Sequence, residues 1–187
     1  MKLLYALCGS FCTHKTSLET LKQLSVGNEI VPALSEVAGN TDTRFGRADA
    51  LREALTCICG SPPITSIKDA EEIVTRGGFD AVIISPCTGN TLAKIANGIT
   101  DTTVTMCAKA QLRNRRPVII ALATNDGLSA NLFNIALTLE KKNIYFVPFG
   151  QDAPTDKPSS LICDFSLLKP TLEHSLKGSQ LQPILLK

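Results

Sequence analysis

Two stretches of this chain, residues 81–85 (AVIIS) and 117–123 (PVIIALA), are apolar at nearly every position. A strand with one face in water alternates apolar and polar residues, because successive side chains point to opposite faces. A strand without that alternation is buried on both faces, as parallel strands between layers of helices are. These two runs therefore demand helices above and below them.

The chain offers such helices between its apolar runs. A first apolar run over 3–8 is followed by Gly9-Ser10 and then a helix over about 15–26, with Leu18, Leu21 and Leu24 near one face. Gly27-Asn28 stops that helix. A strand over 29–34 ends at Ser35, and a polar loop (SEVAGNTDTRFG) leads to a helix over 48–57. A short strand is expected around Ile64, then a helix over 68–76 stopped by Gly77-Gly78. Helices over 91–97 and 104–113 separate the two buried strands, and a helix over 131–142 precedes a strand over 144–148. A last helix is expected over 166–176. Strands alternating with helices predict a three-layer, Rossmann-like (doubly wound) α/β fold, mostly parallel, with helices on both faces. With 187 residues, one domain is expected over 1–187, carrying a Pro-rich C-terminal extension from about 149.

Composition narrows the class. A formal charge of +2 is too mild to argue for nucleic acid or a membrane surface. No apolar run approaches the roughly 20 residues of a membrane helix. The N-terminal run over 3–8 is too short for a signal-peptide core and reads as the first buried strand. A cytoplasmic protein is expected. The seven cysteines are odd in number and scattered, which suits reduced thiols. Cys57 and Cys59 have CxC spacing but no further ligand pair nearby, so no metal site is expected.

Ligands of open α/β sheets bind beyond the carboxyl ends of the strands. Those ends here carry Gly9, Ser10 and Thr13; Ser35; Pro86, Cys87, Thr88, Gly89 and Asn90; and Thr124, Asn125 and Asp126. Nearly all are small, hydroxylated or amide-bearing. Any one such loop reads equally as a helix N-cap, for which Ser, Thr and Asn are preferred. Four along one edge point to a ligand, with backbone and hydroxyl donors forming a phosphate cradle. There is no GxGxxG and no GxxxxGK[ST], so neither the usual dinucleotide fingerprint nor a P-loop is present. His14 follows the first strand, as a polar residue at a helix start or as a ligand contact, whereas His174 is expected on the surface. Arg44, in the loop after the second strand, is read either as a surface ion pair or as a contact to an anionic ligand. Arg113, Arg115 and Arg116 lie at the far end of the sheet, on the surface or at an oligomer contact. Asp126 is read as a helix cap or a proton acceptor.

The segment SPCTGNTLAKIANG resembles the signature turn of the flavoprotein family that includes the homo-oligomeric flavin-containing cysteine decarboxylases and the flavin prenyltransferases. That turn runs Pro-Ala-Ser-Ala-Asn-Thr and then Leu-Ala-Lys-Ile-Ala-Asn-Gly. Pro86, Asn90 and the run from Thr91 to Gly98 match it; Thr88 keeps the hydroxyl, and Cys87 and Gly89 stand for alanines. The CGSFCT segment resembles the family's Gly-Ser phosphate loop, and ALATNDGL keeps the Asn of another family segment as Asn125. The resemblance implies FMN. Gly9, Ser10 and Thr13 would hold its phosphate, with Ser35 helping. Pro86, Cys87, Thr88, Gly89, Asn90, Thr124 and Asn125 would border the ribityl chain and ring. It also implies a homo-oligomer. One departure stands out: the family's decarboxylases carry a catalytic His after the second strand, and none lies between His14 and His174 here.

A second resemblance reaches further. The blocks TDTRFG, TGNTLAKIAN, AKAQLRNRRPV, TNDGLSAN, KKNIYFVPFGQD, KPSSL and GSQLQP are similar, in order and spacing, to the B-subunit family of dipicolinate synthases. This implies a sporulation oxidoreductase that takes dihydrodipicolinate, a small dicarboxylate, to dipicolinate. NADP would be handled by the partner, the dipicolinate synthase A subunit, consistent with the missing fingerprint here. Arg44, Asn125 and Asp126 are the catalytic candidates. Two alternatives stay open: an accessory protein that keeps the fold without chemistry, and a stand-alone FMN-dependent decarboxylase.

Overall fold

In the computed structural model, which describes residues 1–186, the central strand is β3, Ala81–Cys87, buried at every position. It lies between β1 (Lys2–Leu7) and β4 (Val118–Thr124), parallel to both. On the other side of β1 runs β2 (Glu29–Leu34), also parallel. Beside the first half of β4 runs β5 (Ile144–Phe146), parallel again. The sheet's mostly parallel character and its order β2-β1-β3-β4 follow the expectation for doubly wound folds.

The helices form two groups. α1 (His14–Ser25) packs with α3 (Ala48–Cys59) and with the turn before α8 (Leu168–Ser175). α4 (Ile67–Arg76) packs on α6 (Thr103–Arg113), and α5 (Gly89–Ala96) packs on α6 and on α7 (Leu132–Leu139). Between them, Leu3, Leu4, Leu7, Ile83, Ile84, Ile119 and Ile120 are wholly buried. Each such side chain contributes about 1.5–3 kcal/mol relative to exposure. This is why the two apolar runs could only be central strands.

Several boundaries have local causes. α3 ends at Gly60, whose φ of +74° suits glycine and lets its N–H reach the Thr56 carbonyl at 2.8 Å. α4 starts at Ser66, whose hydroxyl accepts from the Asp69 N–H. α7 is shorter than expected: Leu139 is its last residue, and Asn143 takes a left-handed conformation (φ 64°).

Three further features depart from the sequence reading. The loop after β2 contains a short helix, α2 (Glu36–Asn40), capped by Ser35. The strand expected at Ile64 is a single parallel bridge to Ala33, held by Ile64 N–H to Pro32 O and Leu34 N–H to Ile64 O, both 2.9 Å. Pro62 and Pro63 just before it lack N–H groups, which limits any longer ladder. The Pro-rich stretch from 149 also adds two strands. β7 (Leu161–Cys163) runs antiparallel to the last residues of β4, and β6 (Phe149–Gly150) pairs antiparallel with β7.

Candidate functional site

β2 and β3 lie on opposite sides of β1, so the connections leave it in opposite directions, and the topological switch point, where doubly wound folds bind their ligands, falls beyond the carboxyl ends of β1 and β3. Backbone bonds tie this rim together. The Ser35 N–H donates to Leu7 O at 2.9 Å, joining the ends of β2 and β1. The Cys8 N–H donates to Pro86 O at 3.1 Å, joining β1 to β3. Gly89, at the start of α5, fits against the end of β4: a Cβ there would lie 2.6 Å from Thr124 Oγ1 and 2.8 Å from Asp126 Oδ1. The four expected loops therefore share one rim.

Their side chains divide into two sets. Some are engaged locally. Thr13 Oγ1 donates to Ser10 O at 2.8 Å and folds the loop into a 3₁₀ turn. Ser35 caps α2 by accepting from the Ala38 N–H. Thr88 caps α5 by accepting from the Thr91 N–H, and its hydroxyl donates to Thr91 Oγ1. Thr91 in turn donates to the Cys8 sulfur at 3.3 Å. Thr124 donates to the Asp126 carboxylate, so Asp126 closes on its neighbour rather than capping the helix ahead.

The second set is unengaged. Among the described residues, the Ser10 hydroxyl, the Asn90 and Asn125 amides, and the N–H groups of Gly9, Ser10 and Asn125 have no protein partner. Gly9 is also tight: a Cβ would approach Val37 Cγ1 to 3.2 Å. Free donors around a glycine, with no lysine or arginine among the rim positions, fit a phosphate and a polar ring edge without a compensating point charge. The residues present thus fit FMN.

Cys8 and Cys87 are not suited to thiolate chemistry at this rim. Cys87 is fully buried and burial pushes its thiol well above the ordinary value. Cys8 is pushed up to about 11 by the same desolvation, against the opposing bond from Thr91. Both stay protonated near neutrality. His14 is half-buried. Its Nε2 lies 2.7 Å from the Cys8 carbonyl, which can only accept, so the proton sits on Nε2. Burial holds its pKa below 6.5, opposed by that bond. His174 is exposed, on α8.

Arg44 is exposed and lies over the Phe45 ring, 4.8 Å from its centroid, in the turn closed by Thr43 and Gly46. Arg116 binds Phe79 O at 3.2 Å and Asp80 at 3.3 Å, at the amino end of β3 and away from the rim. Two contacts were not read from the sequence. Glu36 Oε1 accepts from the N–H and hydroxyl of Thr103, each at 2.9 Å, across 67 residues. Asn131 is buried against Gly89 and accepts from Asn134. Asn131 could have been suspected from the cap preference of Asn; Glu36 could not, because its partner is distant.

No helix among the described residues is long and apolar enough to cross a membrane. The flavoprotein family matches residues 1–166, and the chain belongs to it. Within that family it is similar to the dipicolinate synthase B subunit of Bacillus subtilis (strain 168): 39% identical over 184 residues, 98% of this chain and 92% of that protein. The crystal structure of the dipicolinate synthase B subunit from Bacillus halodurans superposes with a TM-score of 0.90 at 37% identity, covering 100% of this chain and 96% of that one. The Burkholderia xenovorans protein DmrB in complex with FMN has a TM-score of 0.69 at 19% identity, over 94% of this chain and 95% of that one. At that identity the likeness speaks to the fold alone.

Proposed function

We propose that this chain is the flavin-carrying B subunit of a dipicolinate synthase, a homo-oligomer that works with the synthase's A subunit in the cytoplasm of a sporulating cell. The pair oxidises dihydrodipicolinate to dipicolinate. The substrate gives up two electrons and two protons: a hydride equivalent passes to NADP on the A subunit, and one proton leaves to solvent. One observation carries the reading: the loops after β1, β3 and β4, each with unengaged donors, leave the same end of the parallel sheet. The similarity to the Bacillus subtilis B subunit over nearly the whole chain supports it.

In this reading Gly9 and Ser10 hold the phosphate in a turn that Thr13 folds, with Ser35 shaping the neighbouring turn. Pro86, Cys87, Thr88, Gly89 and Asn90 border the ribityl chain and ring, and Thr124 and Asn125 close the far side. FMN, when bound, supplies a two-electron acceptor. The chain's own part is to bind and orient: the Asn90 and Asn125 amides offer neutral donors, and Asp126, whose carboxylate accepts a hydrogen bond from Thr124, is the candidate proton acceptor. Arg44 is the candidate for a substrate carboxylate.

The test is uptake and turnover. Purified protein mixed with FMN should elute yellow from gel filtration, and only the mixture of both subunits should form dipicolinate. A colourless protein with an active pair would leave the accessory reading, which the protonated, buried Cys87 and the small number of titrating groups at the rim favour. Activity of this chain alone on a peptide cysteine would restore the decarboxylase.

A further inference from the structure

Beside the rim lies a cleft of about 320 Å³ between α1, α3 and the turn over 41–47. That is at the small end of the range for ligand sites. Its walls are apolar and aromatic: Phe11 from the β1 loop, Leu18 from α1, Leu51 from α3, and Phe45 from the turn. Its polar lining is one-sided. Lys15, Arg47 and His14 line it, and no Asp or Glu does.

The cations differ in availability. Arg47 is held by Asp49 through two bonds, of 3.1 and 2.7 Å, so its charge is already compensated. Lys15 lines the cleft with no ion-pair partner among the described residues. Arg44 stands outside the lining; it is likewise without an ion-pair partner among the described residues, and its guanidinium lies over the Phe45 ring that forms one wall. His14 adds an imidazole whose Nε2 donates to Cys8 O. Nδ1 is then a lone-pair acceptor without a protein partner among the described residues. Aromatic walls, one free cation in the lining with a second beside the Phe45 wall, and one neutral acceptor suit a flat ring that carries carboxylates and a ring N–H or bound proton. A phosphate alone would leave the aromatic walls wet, and a neutral ring would leave the cations unmatched.

We propose that this cleft, bounded by Phe11, Lys15 and Phe45, is a binding site for a planar ring dicarboxylate. The site deepens the reading given above, on which it rests for the identity of its ligand. Phe11 links the two places, since its ring lies against Gly9 of the phosphate loop and also lines the cleft. Lys15 and Arg44 hold the carboxylates, and the rings of Phe11 and Phe45 enclose the ligand's faces.

The experiment is an NMR titration of the full chain, with and without FMN, using pyridine-2,6-dicarboxylate as the probe. Its dimethyl ester and inorganic phosphate are the controls. Saturable shifts at Phe11, Lys15 and Phe45 are expected with the diacid only. Lys15→Met and Phe45→Ala should each weaken binding about tenfold or more, with unchanged circular dichroism, because both residues are exposed and outside the core. No saturable binding, equal binding of ester or phosphate, or full affinity in both variants overturns the site. Flavin absorbance on the same samples separates the two readings. Diacid binding without FMN uptake keeps the cleft and removes the cradle, whereas FMN uptake without diacid binding removes the cleft alone.

Discussion

The phenol oxygen of Tyr5 lies 2.9 Å from Ser85 Oγ, deep beneath the rim and one residue before Pro86. It also lies 3.0 Å from both the carbonyl and the hydroxyl of Ser17, and the Ser17 hydroxyl donates to Ser85 O at 2.7 Å. All three side chains are buried, and desolvation drives the phenol's pKa far upward, so it stays a neutral donor. This trio ties β1, α1 and β3 together directly under the rim. Tyr5→Phe removes one hydroxyl and leaves its neighbours short of a partner. A loss of about 1–2 kcal/mol is expected, measured as a lower urea midpoint at unchanged slope. A neutral result would mean that the two serines satisfy each other.

Gly89 has no room for a methyl group. Its Cβ would overlap the Asn131 amide, Thr124 Oγ1 and Asp126 Oδ1. Gly89→Ala must push α5 away from the end of β4, at a cost of about 1–3 kcal/mol. FMN uptake should fall by more than that stability loss explains, because the turn borders the proposed cradle. Gly27→Ala, where nothing lies within 4 Å but φ is +79°, is the control. It should destabilise through backbone strain alone and leave uptake intact.

Thiol chemistry should follow burial. Cys12 and Cys57 are exposed, while Cys8, Cys87, Cys107 and Cys163 are buried. Burial pushes Cys8 up to about 11 and Cys107 up to about 12. Alkylation of the native protein, read by mass spectrometry, should mark Cys12 and Cys57 first and leave the buried four untouched. Rapid labelling of Cys87 would contradict its placement beneath the turn.

His14 sets a pH dependence. Its folded pKa lies below the ordinary 6.5 because burial disfavours the imidazolium. Beneath 6.5 the unfolded chain therefore binds a proton that the folded chain does not. The contribution is whole above 6.5 and declines as pH falls through the window below it. Denaturant midpoints on either side of 6.5 should show that decline, and His14→Gln should reduce it. A His14 resonance titrating above 6.5 would reverse the sign.

Glu36 acts as a remote cap. Its carboxylate accepts from both donors of Thr103 at the start of α6. Glu36→Ala should cost about 1–2 kcal/mol, the range of a lost N-cap. Glu36→Gln keeps an acceptor oxygen and should recover most of it. Equal losses in both variants would assign the effect to charge at the helix end rather than to the hydrogen bonds.

Much of the fold was written locally. The unbroken apolar runs at 81–85 and 117–123 could only be strands buried on both faces, and they became β3 and β4. Gly60 as a helix stop and Ser66, Thr88 and Thr102 as caps act within a few residues of themselves. The β6–β7 pair was not legible, because its strands are two and three residues long and carry no periodicity.

The chain's own sequence determined the strand order's raw material and the placing of small polar residues at each strand's carboxyl end, since periodicity and capping chemistry are short-range. Capping belongs to that same short-range chemistry: Ser35 and Thr88 are engaged by the Ala38 and Thr91 N–H groups three residues on. Tertiary structure decided that the loops carrying Ser10, Asn90 and Asn125 meet at one end of the sheet. Tertiary structure also decided that Thr91 meets Cys8 across 83 residues, and that Phe11 and Phe45 face one cleft. Hydrogen-bond partners and cavity walls are set by which distant segments the sheet brings together, and no local pattern carries that information.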